Sequence, residues 1–88
     1  MGQLTVIKPD SKININGIPV QECDMSGLPD DLHALQWNGT SGHVEYVSVT
    51  KPNLSINSEA ELESALGVSK ATIIARHETA LEASKPAG

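Results

Sequence analysis

The sequence has no phenylalanine, one tryptophan and one tyrosine among its 88 residues. Aromatic rings usually bury the most area per side chain, so the core must be assembled from aliphatic residues. A chain this short buries only about two-thirds of its unfolded surface, and a domain so thinly provided is expected to need a staple or a partner. Cysteine cannot be the staple. Cys23 stands alone, which excludes an intrachain disulfide and a thiolate metal cage, and it reads as a small core hydrophobe. Cations are scarce: six Lys and Arg against 11 Asp and Glu, a formal charge of −5. That balance favours solubility and argues against nucleic acid or an anionic membrane as the default partner.

Long apolar runs are also missing, and nothing approaches the roughly 20 residues of a membrane-spanning helix. The chain turns strand-like at Gln3 without a basic start before a long apolar run, so no secretory leader is expected. The sequons at Asn38 and Asn53 then carry no meaning, and cytosolic synthesis is the simplest expectation. No glycine-rich phosphate loop is present. Asp30, Asp31 and His33 lie close together in sequence, with His43 and Glu45 across a turn. They read as solvated polar residues, because nothing resembles a nucleophile held by a base. No catalytic residue, metal ligand or cofactor is assigned.

What is present is organised around Asp31–Tyr46. Leu32, Ala34 and Gln36 alternate with His33, Leu35 and Trp37, the period of a strand. Asn38 to Gly42 supplies a turn, with Gly39 and Gly42 as its glycines. Val44, Tyr46 and Ser48 then alternate with Glu45, Val47 and Val49. Pairing Asn38 with His43 would set Trp37 against Val44 and Leu35 against Tyr46. All four would then share one face.

Upstream, Gln3–Lys8 reads as a strand with Leu4 and Val6 on one face, and Pro9 to Ser11 as a turn. Asn16-Gly17 is the dipeptide that a two-residue type I′ turn requires. It pairs Ile15 with Ile18 and Ile13 with Val20 on a common face. Pro19 cannot donate to a ladder, so its strand should lie at an edge. Cys23–Asp31 reads as a polar connector and Thr50–Asn57 as an extended linker.

Helix is expected after Asn57. Ser58 and Glu61 form a capping box, and Leu62, Ala65 and Leu66 make the apolar stripe. Gly67 suits the end of that helix and Ser69 the start of another, from Lys70 to about Ser84. A single helix through Gly67 stays open, at about 1 kcal/mol relative to Ala. Pro86 should end the order. Ile73, Ile74, His77 and Leu81 fall on one side of the last helix. With few large side chains left to receive them, that stripe is the expected partner contact, although His77 also reads as a satisfied packing residue. The expected fold is α+β: two β-hairpins plus an N-terminal strand over residues 1–56, then helical structure over 57–88. That segment would pack on the sheet or on a partner, within one compact domain.

Glu61–His77 resembles the helix-turn-helix segment of bacterial and phage repressors, through Leu66-Gly67-Val68-Ser69 and Ile73. Glu63 departs from that pattern, which wants a small residue where the helices cross. The residues from Asn57 onward are also net acidic, against the demand of phosphate binding. DNA regulation is the alternative reading.

Ile15–Tyr46 resembles a small module of tailed-bacteriophage proteins, found in tail-fibre-assembly and tail-assembly-chaperone-like proteins. The matching residues are Ile15 to Val20, Asp24 to Pro29, and above all the run from Asp31 to Tyr46. Lys51-Pro52-Asn53 matches the linker that follows. The resemblance implies a non-enzymatic phage or prophage protein acting in tail morphogenesis, as a virion component or an assembly factor. Its partner would be a tail or tail-fibre protein, or a second copy of itself. It would work in the bacterial cytoplasm during assembly or in the virion, with no nucleic acid or membrane. The open sheet face, an edge strand and the stripe on the last helix are the candidate contact surfaces.

Overall fold

The computed structural model describes residues 2–48 and 50–84. Six antiparallel strands form one sheet in the order β3-β2-β1-β4-β5-β6, and two C-terminal helices pack on one of its faces, an α+β fold. The strands are β1 (Leu4–Ile7), β2 (Lys12–Ile15), β3 (Ile18–Val20), β4 (Leu32–Trp37), β5 (Gly42–Tyr46) and β6 (Leu54–Ile56). The helices are α1 (Glu59–Leu66) and α2 (Lys70–Ser84).

The first hairpin forms as the turn chemistry requires. Asn16 and Gly17 both take positive φ, 52° and 86°, which lets a two-residue loop follow the twist of its strands. Ile15 pairs with Ile18 and Ile13 with Val20. The Asn16 side-chain oxygen also accepts from the Gln3 N–H at 3.0 Å, fastening the turn to the entrance of β1. Pro19 lies in β3, an edge strand of the sheet.

The central hairpin keeps its expected faces in a different register. The Asn38 N–H bonds the Ser41 carbonyl rather than pairing with His43. Leu35 therefore faces Val44 and Trp37 faces Gly42. The cause is local: the Asn38 side-chain oxygen accepts from the Thr40 and Ser41 N–H groups, each at 2.9 Å, and closes the loop early. A shift of two residues leaves every side chain on its own face. Leu35, Trp37 and Val44 are still buried together, with Tyr46 packed against them. A bulge at His33 absorbs one residue, so that Leu32 rather than His33 turns inward, opposite Tyr46. The return strand ends at Tyr46, and Val49 lies outside the described residues.

Two apolar rungs cross the whole sheet on its covered face. One runs Ile18, Ile15, Leu4, Trp37, Gly42, Ile56; the other Val20, Ile13, Val6, Leu35, Val44, Leu54. The opposite face carries Asn14, Thr5, Gln36, His43 and Ser55 in one polar rung. One apolar and one polar face is the usual division for an antiparallel sheet covered on one side.

Two connectors depart from expectation. Leu54–Ile56, within the expected linker, is the sixth strand and pairs with β5. Its alternation spans three residues, too few to stand out beside Pro52. The Cys23–Asp31 connector is not wholly polar: Cys23 and Leu28 are buried and Met25 packs beside them. Arg76 of α2 holds it by donating to the Asp24 carbonyl at 3.2 Å.

The helices break at Gly67, which has φ 75° and donates to the Glu63 carbonyl. Ser58 Oγ accepts from the Glu61 N–H at 3.2 Å, while the Glu61 carboxylate accepts from the Asn57 N–H at 2.6 Å. Ser69 Oγ accepts from the Thr72 N–H at 3.1 Å at the start of α2. Leu62 and Leu66 of α1 and Ile73 of α2 are fully buried against the sheet. Pro86 lies outside the described residues.

Candidate protein-docking groove

The expected contact stripe on α2 is largely consumed by the chain itself. Ile73 is wholly buried and His77 is 4% exposed. His77 Nε2 donates to the Ile18 carbonyl at 2.8 Å, which ties α2 to the β3 edge. Ile74 and Leu81 are half-buried, and Leu81 packs at the margin of the core. Ile73 and His77 are therefore not partner contacts. The helical segment packs on the chain's own sheet, α1 beside β6 and α2 over β2 and β3.

A groove of about 460 Å³ opens at the other end of the sheet, between β6 and α1. Tyr46, Lys51, Leu54, Ile56, Ala60 and Ala65 are among its walls. Each reaches it for a local reason. Tyr46 is the last residue of β5 and packs at the margin of the core. Leu54 ends an apolar rung on an outer strand and remains 44% exposed. Ala60 and Ala65 are the small residues of α1, so the helix approaches without filling the cleft.

Lys51 closes one end of the groove. Its ammonium lies 3.9 Å from the centroid of the Tyr46 ring and makes an ion pair with the Asp31 carboxylate. A cation over an aromatic face is attracted by the ring quadrupole. The lysine hydrogen bond holds the Asp31 carboxyl below the usual carboxylate range, and the same bond raises the Lys51 ammonium above the usual lysine range. The Val47 N–H donates to the Asp31 carbonyl at 2.9 Å, so the loop leaving β5 is bound to the start of β4 by backbone as well as charge. Asp31, which the sequence sets beside His33, is thus a clamp on this loop. His43 and Glu45 pair separately on the open face, Nε2 to Oε2 at 3.0 Å. No group of three or more His, Cys, Asp or Glu suited to a metal ion occurs among the described residues.

The remaining residues singled out from sequence have structural places. Asn16 and Gly17 form the first turn, Gly39 the second, and Leu35, Trp37 and Val44 lie in the core. Gly42 is required by close approach: a Cβ there would lie 2.8 Å from the Gln36 carbonyl carbon and 2.9 Å from Trp37 Cα. The groove itself was not anticipated. Its one legible sign is the Leu54-Ser55-Ile56 alternation just before a capping box.

The groove brings together an apolar cleft, an outer strand and a clamped cation. No helix among the described residues is long and apolar enough to cross a membrane. No protein-family model, curated protein or solved structure matches the chain.

Proposed function

We propose that the chain is a non-enzymatic protein-contact module acting in phage or prophage tail morphogenesis, as a virion component or an assembly factor. The observation that carries the contact role is the β6–α1 groove, an apolar cleft beside an outer strand with Leu54 exposed at its lip. An exposed apolar cleft rimmed by polar groups is a common mark of a protein-binding surface. The tail assignment is supported by the resemblance of Ile15–Tyr46 to the phage module. The test is a photo-cross-linking residue at position 54 of the full chain, in cells producing the phage. A cross-link to a tail or tail-fibre protein, lost when Ala60→Phe fills the groove, is the expected result. No cross-link, together with normal tails from a strain lacking the gene, would refute the proposal.

A second reading, a DNA-binding regulator, draws on α1, the Gly67 turn and α2 as a helix-turn-helix-like pair. Against it, the Glu63 carboxylate accepts the Lys70 N–H at 2.8 Å, at the amino end of α2 where a phosphate would dock. Ile73 and His77 also face the chain's own sheet. Fluorescence anisotropy with mixed-sequence duplex at low salt should stay flat. Binding that weakens steeply with salt would favour the regulator.

A further inference from the structure

The sheet has two outer strands, and they differ in what they offer another backbone. In the first hairpin the Asn16-Gly17 turn makes Ile15 and Ile18 a bonded pair, and bonded and non-bonded pairs alternate along an antiparallel ladder. Asn14 and Pro19 are therefore a non-bonded pair, and the backbone of Pro19 points away from β2 to the free edge. There its ring nitrogen has no hydrogen to donate. Pro19 is the middle of the three residues of β3, so that strand presents no outward N–H. The β3 edge is closed.

The β6 edge is not. The Asn38–Ser41 bond sets the same alternation in the second hairpin, so Gly42 and Val44 direct their backbone groups to β6. Their partners Ile56 and Leu54 are then the bonded residues of β6. Ser55, between them, turns its N–H and C=O outward. The Asn57 N–H, which has the same outward phase, is already taken by the Glu61 carboxylate. Among the described residues nothing pairs with Ser55 on that side, which leaves it as an open rung. The groove lies on the face of the sheet to which Leu54 and Ile56 belong, and beyond Lys51 its rim carries the Glu61 carboxylate. Asp31 is already neutralised by Lys51.

We infer that β6 accepts an extended segment of a partner protein as a seventh strand, paired to Ser55, with aliphatic side chains in the groove and a cationic residue at its acidic rim. This rests on the contact role proposed above and names its mode: main-chain bonds give attachment and alternate side chains give selectivity. The partner residue opposite Ser55 points to the open face, and its two neighbours point into the groove. The closed β3 edge prevents β3-to-β6 stacking of copies, so the addition does not propagate.

The test uses the full chain, labelled with nitrogen-15, and the capped peptide Lys-Ser-Leu-Thr-Leu-Ser-Lys, whose lysines share the groove face with the leucines. The peptide should shift the Ser55 amide and slow its hydrogen exchange, with further changes at Leu54, Ala60 and Ala65. Methylating the Thr nitrogen of the peptide should weaken binding at least tenfold, and replacing its lysines with glutamate severalfold. Ser55→Pro should also weaken binding at least tenfold, because the lost N–H points away from β5. Should that variant fail to fold, the methylated peptide makes the same cut on the unaltered protein. An unmoved Ser55 amide at millimolar peptide, equal binding of the methylated peptide, or shifts confined to β3 or the open face would overturn strand addition. If the peptide fails while the position-54 cross-link to a tail protein stands, strand addition is wrong and the contact role survives. If the peptide binds but position 54 cross-links nothing, the edge accepts strands and the tail assignment falls.

Discussion

Gly42 faces Trp37 across the central ladder, and the backbones approach so closely that no side chain fits at Gly42. The obstruction is backbone, the Gln36 carbonyl and Trp37 Cα, and cannot rotate aside. Gly42→Ala should destabilise the protein by about 3 kcal/mol, the upper end of the ordinary cost of overpacking. A urea titration would show it as a lower midpoint. An unchanged midpoint would mean that β4 and β5 are not held this close in solution.

Trp37 is 2% exposed, and its indole N–H has no hydrogen-bond partner among the described residues. Packing and polarity therefore pull against each other. Trp37→Ala should cost about 3–5 kcal/mol, a large share of a stability of roughly 0.05–0.15 kcal/mol per residue. Trp37→Phe loses some area but also removes a buried donor whose isolation costs about 1–3 kcal/mol. It should fall within about 1 kcal/mol of the parent. Thermal melts of both variants by circular dichroism separate the two contributions, and equal losses would show that the indole nitrogen is satisfied.

Gly17 isolates a purely conformational effect. Its φ is 86°, and a Cβ there would meet nothing within 4 Å. Gly17→Ala should therefore cost about 1–2 kcal/mol, the penalty of the left-handed region for a residue with a Cβ. A smaller loss in chemical denaturation would mean that the hairpin relaxes to another turn.

The Asp31–Lys51 clamp sets a pH window. The folded Asp31 carboxyl lies below its unfolded value, so its contribution is present above about pH 4 and is lost as pH falls through the folded value. The folded Lys51 ammonium lies above its unfolded value. Its contribution is therefore full below about pH 10 and is lost as pH rises through the folded value. Both groups are exposed, so the change is read as local loosening. Amide shifts of Val47 and Lys51 should move at acid pH and should lose that response in Asp31→Asn. An identical acid response in the variant would remove Asp31 from the clamp.

Much of the fold was legible because local chemistry and global packing agree. Asn16-Gly17 fixed the first hairpin to the residue, and Ser58, Glu61, Gly67 and Ser69 marked the helix ends. The faces of β4 and β5 were also readable, since side-chain parity survives an even shift in register. What escaped notice depends on contacts distant in sequence. Nothing in Thr50–Asn57 tells that Leu54 will meet Val44, or that Lys51 will reach back to Asp31 over Tyr46. Whether α2 packs on the sheet or on a partner is illegible for the same reason. Its apolar stripe is visible in the sequence, but the length of sheet left uncovered by α1 is not.

The strand order also divides the sheet in time. β1, β2 and β3 form a meander growing to one side, β4, β5 and β6 another growing to the other, and they join where Leu4 meets Trp37 and Val6 meets Leu35. The β2–β3 and β4–β5 hairpins close through short turns and β6 joins over the longer stretch between Tyr46 and Leu54, whereas the junction must bring together segments separated by both the first hairpin and the connector. Non-local pairings of this kind limit folding rates. Shaving the seam with Val6→Ala should slow refolding in a stopped-flow chevron, while shaving the outer strand with Ile56→Val should chiefly hasten unfolding. A molecule assembled this way would leave β6 as late-consolidating structure, so the surface offered to a partner would be the last part of the sheet to set.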